Sequence, residues 1–301
     1  MRRALCIALC AGLAGCGFGP GAAKGGAGVQ LRVTRDFGRQ SIATGSLAHV
    51  RSSDTVMRFL QSHAKTSTRY GGGFVQSIDG LAGTGRNDWF YFVNGVEAPT
   101  GAADRALSPG DVVQWDYRDW AATPHVPAIV GAFPEPFLHG QHGKRYPTRI
   151  ECAPSAKVCD RIESTLDGLG ISTGTGALGS EARGGVFRIE VGKWSDLRGL
   201  QELAVLEQGP AASGVYARFH PDGSLSLLDA SGKVAGEAPP GTGLVAAVIP
   251  NGQQPLWVVT GVDDAGVARA AALLSVAKLR NAYALAALPS GAQRLPLERA
   301  G

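Results

Sequence analysis

The chain has 301 residues, of which 44% are hydrophobic and 18% charged, a globular balance that excludes a disordered chain. Its 29 Lys and Arg against 25 Asp and Glu leave a formal charge of +4. No dense basic run accompanies that small excess, so nucleic acid is not an expected partner. The length exceeds one comfortable core, and two domains are expected.

Residues 1–15 read as a secretory signal. Arg2 and Arg3 supply a positive start, and residues 4–12 are an apolar run too short to span a bilayer of about 30 Å. Leu13-Ala14-Gly15-Cys16 closes it. These four residues resemble the lipobox of bacterial lipoproteins. The resemblance implies cleavage before Cys16, lipidation of its thiol, and a protein held outside the cytoplasmic membrane by that lipid. Residues 16–28 follow as a lipidated, glycine-rich tether, with roughly 20 Å of coil in its twelve small residues.

Residues 29–120 read as the first domain. Val29-Gln30-Leu31-Arg32-Val33 alternates as a strand does. Ser53 or Asp54 is positioned to cap a helix carrying Val56, Met57, Phe59 and Leu60. Phe74-Val75-Gln76-Ser77-Ile78 and Trp89-Phe90-Tyr91-Phe92-Val93 are strands, the second ending in the hairpin dipeptide Asn94-Gly95. Ser108-Pro109-Gly110-Asp111 is a turn into the strand Val112-Val113-Gln114-Trp115-Asp116-Tyr117. A mixed sheet clasping one helix is a β-grasp arrangement. The stretches 73–81, 89–95 and 107–117 together resemble the transcobalamin-like C-terminal domain, the DUF4430-type module of secreted and cell-surface bacterial proteins. The resemblance implies a β-grasp module that, in transcobalamin and intrinsic factor, caps a corrinoid.

Residues 121–147 hold Pro124, Pro127, Pro134, Pro136 and Pro147, with Phe133 and Phe137 between. Proline favours extended chain, so this segment reads as a semi-rigid linker whose aromatics dock on a domain face. Residues 148–289 read as a layered α/β domain, and residues 290–301 as a tail. Strands are expected at 149–152, 186–191, 244–249 and 256–260. Helices are expected at 156–169, after Ser195, and from Asp263 or Asp264 to Leu279. A hairpin is expected around His220-Pro221-Asp222-Gly223. The fold class is thus α+β and α/β. Cys152 and Cys159 are the cysteines left after the leader and Cys16, and in an oxidising compartment they are expected to pair.

The aromatic strand is the leading ligand-facing candidate. Trp89 and Tyr91 share one face, and Phe90 and Phe92 the other. One pair is expected to fill the core and the other to be exposed. With Trp115 and Tyr117 they form a surface suited to a ringed ligand, or plain core packing. Arg86 and Asn87 lie in the polar loop beside it. His125, His139 and His142 lack the partners of a tetrahedral metal site, and no nucleophile or phosphate-loop motif is complete. The expected function is noncatalytic. The first reading is a lipid-anchored extracytoplasmic small-molecule-binding protein that requires no cofactor, captures a cobalamin-like ligand and passes it to a membrane transporter. The alternative is an envelope protein-interaction module.

Overall fold

The computed structural model describes residues 23–24, 26–154, 156, 158–180, 185–252 and 254–298. The leader and Cys16 lie outside these residues. The chain is 39% strand and 17% helix, a mixed α+β protein with several sheets.

Five strands build the first sheet: β1 (Val29–Arg35), β2 (Gln40–Leu47), β3 (Asn87–Val93), β4 (Val96–Glu97) and β5 (Val112–Asp119). Their order is β2-β1-β5-β3-β4, with β5 parallel to β1 and antiparallel to β3. Asn94 and Gly95 both have positive φ, 53° and 79°, as the expected two-residue turn requires. One helix, α1 (Val56–Gln61), packs Val56, Phe59 and Leu60 into the same core as Leu31, Val33 and Val113. Its N-cap is Thr55, which accepts from Arg58 N, while Asp54 accepts from Arg51 N. The cap is therefore one residue later than Ser53 or Asp54.

Seven strands build the second sheet: β6 (Thr148–Cys152), β7 (Thr173–Ala177), β8 (Phe187–Lys193), β9 (Gly243–Val248), β10 (Leu256–Gly261), β11 (Ala284–Leu288) and β12 (Gly291–Leu295). Their order is β7-β6-β8-β10-β9-β11-β12. The first four are mutually parallel and the rest antiparallel. Helices α2 (Cys159–Asp167) and α3 (Asp264–Ala271) share one core with this sheet through Ile162, Leu166, Val267 and Ala270. Asp263 caps α3 by accepting from Gly266 N at 2.8 Å. Helix α2 is shorter than residues 156–169, and α3 stops at Ala271, with a separate turn at Val276–Leu279. The expected helix after Ser195 is instead one turn at Trp194–Leu197 and a 3-10 segment at Gln201–Glu207, separated at Gly199. Cys152 and Cys159 form a disulfide. Among the described residues no helix is long and apolar enough to cross a membrane.

The proline-rich segment is folded into the molecule rather than spacing its parts. Val126, Ala128, Ile129, Val130, Phe133 and Phe137 are buried. Ile129 N donates to Gly95 O and Val130 N to Tyr283 O, so the segment bonds to both halves. Phe137 packs on Trp257 with ring centroids 5.0 Å apart.

The expectation of one exposed aromatic pair on β3 is corrected. Trp89 and Tyr91 fill the α1 core, as one pair was expected to do. Phe92, on the opposite face, is also buried, in a core shared with Tyr216 and Tyr283 of the second half, and Phe90 packs against that core. The first sheet is covered on both faces, because the second half supplies the second cover.

Candidate functional site

The outer edge of β3 is only partly covered. Strand β4 has two residues and pairs with Phe92 and Val93, and Ala98 N donates to Tyr91 O just beyond it, leaving residues 89–90 at an open margin. There the chain leaves a cleft of about 560 Å³. Trp89, Tyr91 and Trp115 form its floor, Phe74 one rim, Pro99 and Pro127 the other, and Ile249 of the second half closes one end.

Each floor residue is held by its own packing. Trp89 donates its indole N–H to Leu81 O at 2.9 Å, and the Tyr91 hydroxyl donates to Thr100 O at 2.7 Å. Tyr91 and Trp115 stack at 4.8 Å. Trp115 is 2% exposed, and its indole N–H has no acceptor among the described residues. A buried donor without a partner costs about 1–3 kcal/mol, and this one is closed off from solvent. The polar members of the wall are Glu97 and His125. Glu97 Oε2 accepts from Val126 N at 2.8 Å, and its Oε1 lies 3.8 Å from His125 Nδ1. Burial pushes the Glu97 carboxyl above its usual range, against the pull of Arg118, the Val126 N–H and His125. Burial likewise raises the Tyr91 hydroxyl.

The expected site residues therefore separate. Trp89, Tyr91 and Trp115 meet in this cleft. Arg86 and Asn87 line a different cleft of about 400 Å³ between the halves, with Phe37, Arg39, Asp229 and Glu298. There Arg86 Nη2 donates to Asp119 Oδ2 at 2.7 Å. Tyr117 lines neither cleft; its hydroxyl donates to Ala82 O, and its ring packs on Trp89. Phe74, Glu97, Pro99, Pro127 and Ile249 were not anticipated. They come from four separate stretches of chain, and only Phe74, an aromatic residue within the stretch 73–81, carries a local signal.

The histidines do not gather. His139 Nδ1 lies 2.6 Å from Glu135 Oε1 as a local pair. Among the described residues no group of three His, Cys, Asp or Glu is placed to hold a metal ion.

Residues 53–119 match the family described as "Domain of unknown function (DUF4430)". The match runs from just before α1 to the last residue of β5, a minority of the chain. No curated protein matches. Among solved structures, the chain is similar to a protein of Ruminococcus gnavus ATCC 29149 described as a "putative metal binding protein". That similarity is 13% in identity, covers 31% of this chain and 97% of the other, and has a TM-score of 0.24.

Proposed function

We propose that this is a noncatalytic, small-molecule-binding protein of the cell envelope, and that the cleft at the open margin of β3 is its binding site. The carrying observation is the aromatic floor of Trp89, Tyr91 and Trp115. It suits a flat or ringed apolar ligand. At about 560 Å³, the cleft has the volume of a drug-sized site, so a larger corrinoid would be gripped by one edge. The β-grasp reading rests on the order β2-β1-β5-β3-β4 with α1 on one face. The lipobox at Leu13-Ala14-Gly15-Cys16 supports lipid anchoring outside the membrane, and delivery to a membrane transporter is the role that anchoring suits. Replacing Cys16 by Ser tests the anchor, which predicts loss of detergent-phase partitioning.

The ligand test must spare the core. Trp89→Ala would remove a core ring and cost about 3–5 kcal/mol of stability whatever it did to binding. Phe74→Ala, at a ring 42% exposed, and Ala98→Trp, which fills the cleft, are better probes. Purified protein is melted against cobalamin, cobinamide, flavins and porphyrins. A ligand at 100 times its Kd should stabilise by about 2.7 kcal/mol, and both variants should abolish that shift. No shift across the panel, or a shift that both variants retain, overturns the reading.

A protein partner is the second reading, favoured by one observation. Tyr70, 87% exposed, stands four residues from Phe74 on the cleft rim. Tyr70→Ser would weaken a protein contact and leave a small ligand's shift intact.

A further inference from the structure

The second sheet holds a cavity that the first cleft does not involve. From β6 the chain crosses through α2 to β7 on one side, then returns to β8 on the other side of β6, with β10 beyond. The carboxyl ends of β6 and β8 are thus the point where successive connections depart in opposite directions. Open α/β sheets leave a ligand crevice at that point. Here it is a cavity of about 300 Å³. Its floor is Gly192, next to Lys193 at the end of β8. One wall is Ala156 and Val158, inside the loop closed by the Cys152–Cys159 disulfide, and the other is Val267 and Ala268 of α3, with Asp264 at the same helix's start.

Among the described lining residues two side chains are charged, and they carry opposite signs. Lys193 Nζ lies 3.7 Å from Asp264 Oδ1, with side chains 30% and 72% exposed. The pair therefore stands at the mouth, above an aliphatic interior. An exposed pair of this kind contributes about 0–1 kcal/mol, so a ligand that replaces it loses little. A simple anion would meet Lys193 and be opposed by Asp264. A simple cation would meet the reverse. A molecule carrying both charges on one end and an aliphatic group on the other satisfies all three features together.

We propose that this cavity binds a small aliphatic α-amino acid. The carboxylate rests on Lys193 Nζ, the ammonium on the Asp264 carboxylate, and the side chain lies between Val158 and Val267. The site is independent of the β3 cleft.

The experiment is calorimetric titration of the full, oxidised chain with L-leucine, 4-methylpentanoate and 3-methylbutylamine, which share the aliphatic group and differ in charge. Leucine is expected to bind, and each single-charge analogue to bind at least roughly tenfold more weakly. Lys193→Met and Asp264→Asn lie at the surface, so their folding should be unaffected, and each should lower leucine affinity by a similar factor. Ala268→Trp should fill the cavity and abolish binding. Absence of heat with leucine overturns the proposal, as does unchanged affinity in both charge variants or equal affinity for 4-methylpentanoate. Phe74→Ala and Ala98→Trp should leave leucine binding intact, so failure of the ring-ligand panel and failure of this site are read separately.

Discussion

Asp116 lies without exposure on the face of β5 that meets the second half of the molecule. It accepts from Thr34 Oγ1 at 2.7 Å, Gly38 N at 2.9 Å and the Tyr283 hydroxyl at 2.9 Å. Burial nonetheless wins, and the carboxyl is pushed up to about 6 against the pull of those donors and Arg118. The folded state then holds its proton over a range where the unfolded chain, near 3.8, has released it. The stabilising contribution is complete below that lower value and is lost as pH rises through 6. Asp116→Asn keeps the shape and removes the titration. Its stability should therefore fall less than that of the native chain between pH 4 and 6.5, by up to about 3 kcal/mol at 1.36 kcal/mol per unit. Urea unfolding at each pH measures this, and parallel curves would refute it. The strand itself was legible in residues 112–117. That its even-numbered side chains are also buried was not, because Gln114, Asp116 and Arg118 spell a solvated face until a second half covers them.

Elements with strong local codes formed where expected. The Trp89–Val93 run, the Asn94-Gly95 turn and the Asp263 cap are set by neighbours within a few residues. Strand β2 escaped notice because an edge strand reading Gln40-Ser41-Ile42-Ala43-Thr44-Gly45 lacks a clean alternation, and its pairing with β1 supplies the order. The cleft escaped for the same reason at longer range, since Pro127 and Ile249 reach it only through the fold. Strands β6 and β8 also place Glu151 against Glu190, both without exposure. Burial, then the hydrogen bond and charge of Glu151, holds the Glu190 carboxyl far above its usual range, with Arg188 and the Gly179 N–H pulling the other way. Stability from this pair is present at acid pH and is lost as pH rises through neutrality into the alkaline range. Glu190→Gln should raise Tm more at pH 9 than at pH 5; an equal change at both would remove the pair from the alkaline limit. The disulfide acts on the same sheet. Its loop spans a sequence separation of 7, for which chain entropy gives about 2.5 kcal/mol. A Cys152→Ser, Cys159→Ser double variant should lower the urea midpoint correspondingly, with the m-value unchanged.

The halves meet along a seam that is polar yet buried. Gln114 Nε2 donates to Asn281 O at 3.2 Å, while Arg32 Nη1, to Gly131 O at 2.7 Å, and Arg118, to the carbonyls of Thr123 and Pro124, tie the first sheet to the proline-rich segment between the halves. Arg118 also lies 3.8 Å over the Phe90 ring. Apolar contact runs beside these bonds, with Phe37 edge-on to both Tyr216 and Tyr283 at 5.1 and 5.2 Å. Length alone suggests two domains, and independent cores would give two unfolding transitions. The seam argues otherwise. Parting the halves would expose Phe37 and Phe92 together and break the bonds that bind the proline-rich segment to Gly95 and Tyr283. The first half loses the cover of one face of its sheet in that separation. Calorimetry should therefore record one transition, with the calorimetric and van't Hoff enthalpies equal. Arg32→Met removes one buried charge-assisted hydrogen bond, at a cost of about 1.5–3 kcal/mol, and leaves Asn281 N as the donor to the Gly131 carbonyl. It should move the whole transition down rather than split it. Two transitions in the native chain, or a split in the variant, would mean that each sheet is stable alone and that the seam only joins them.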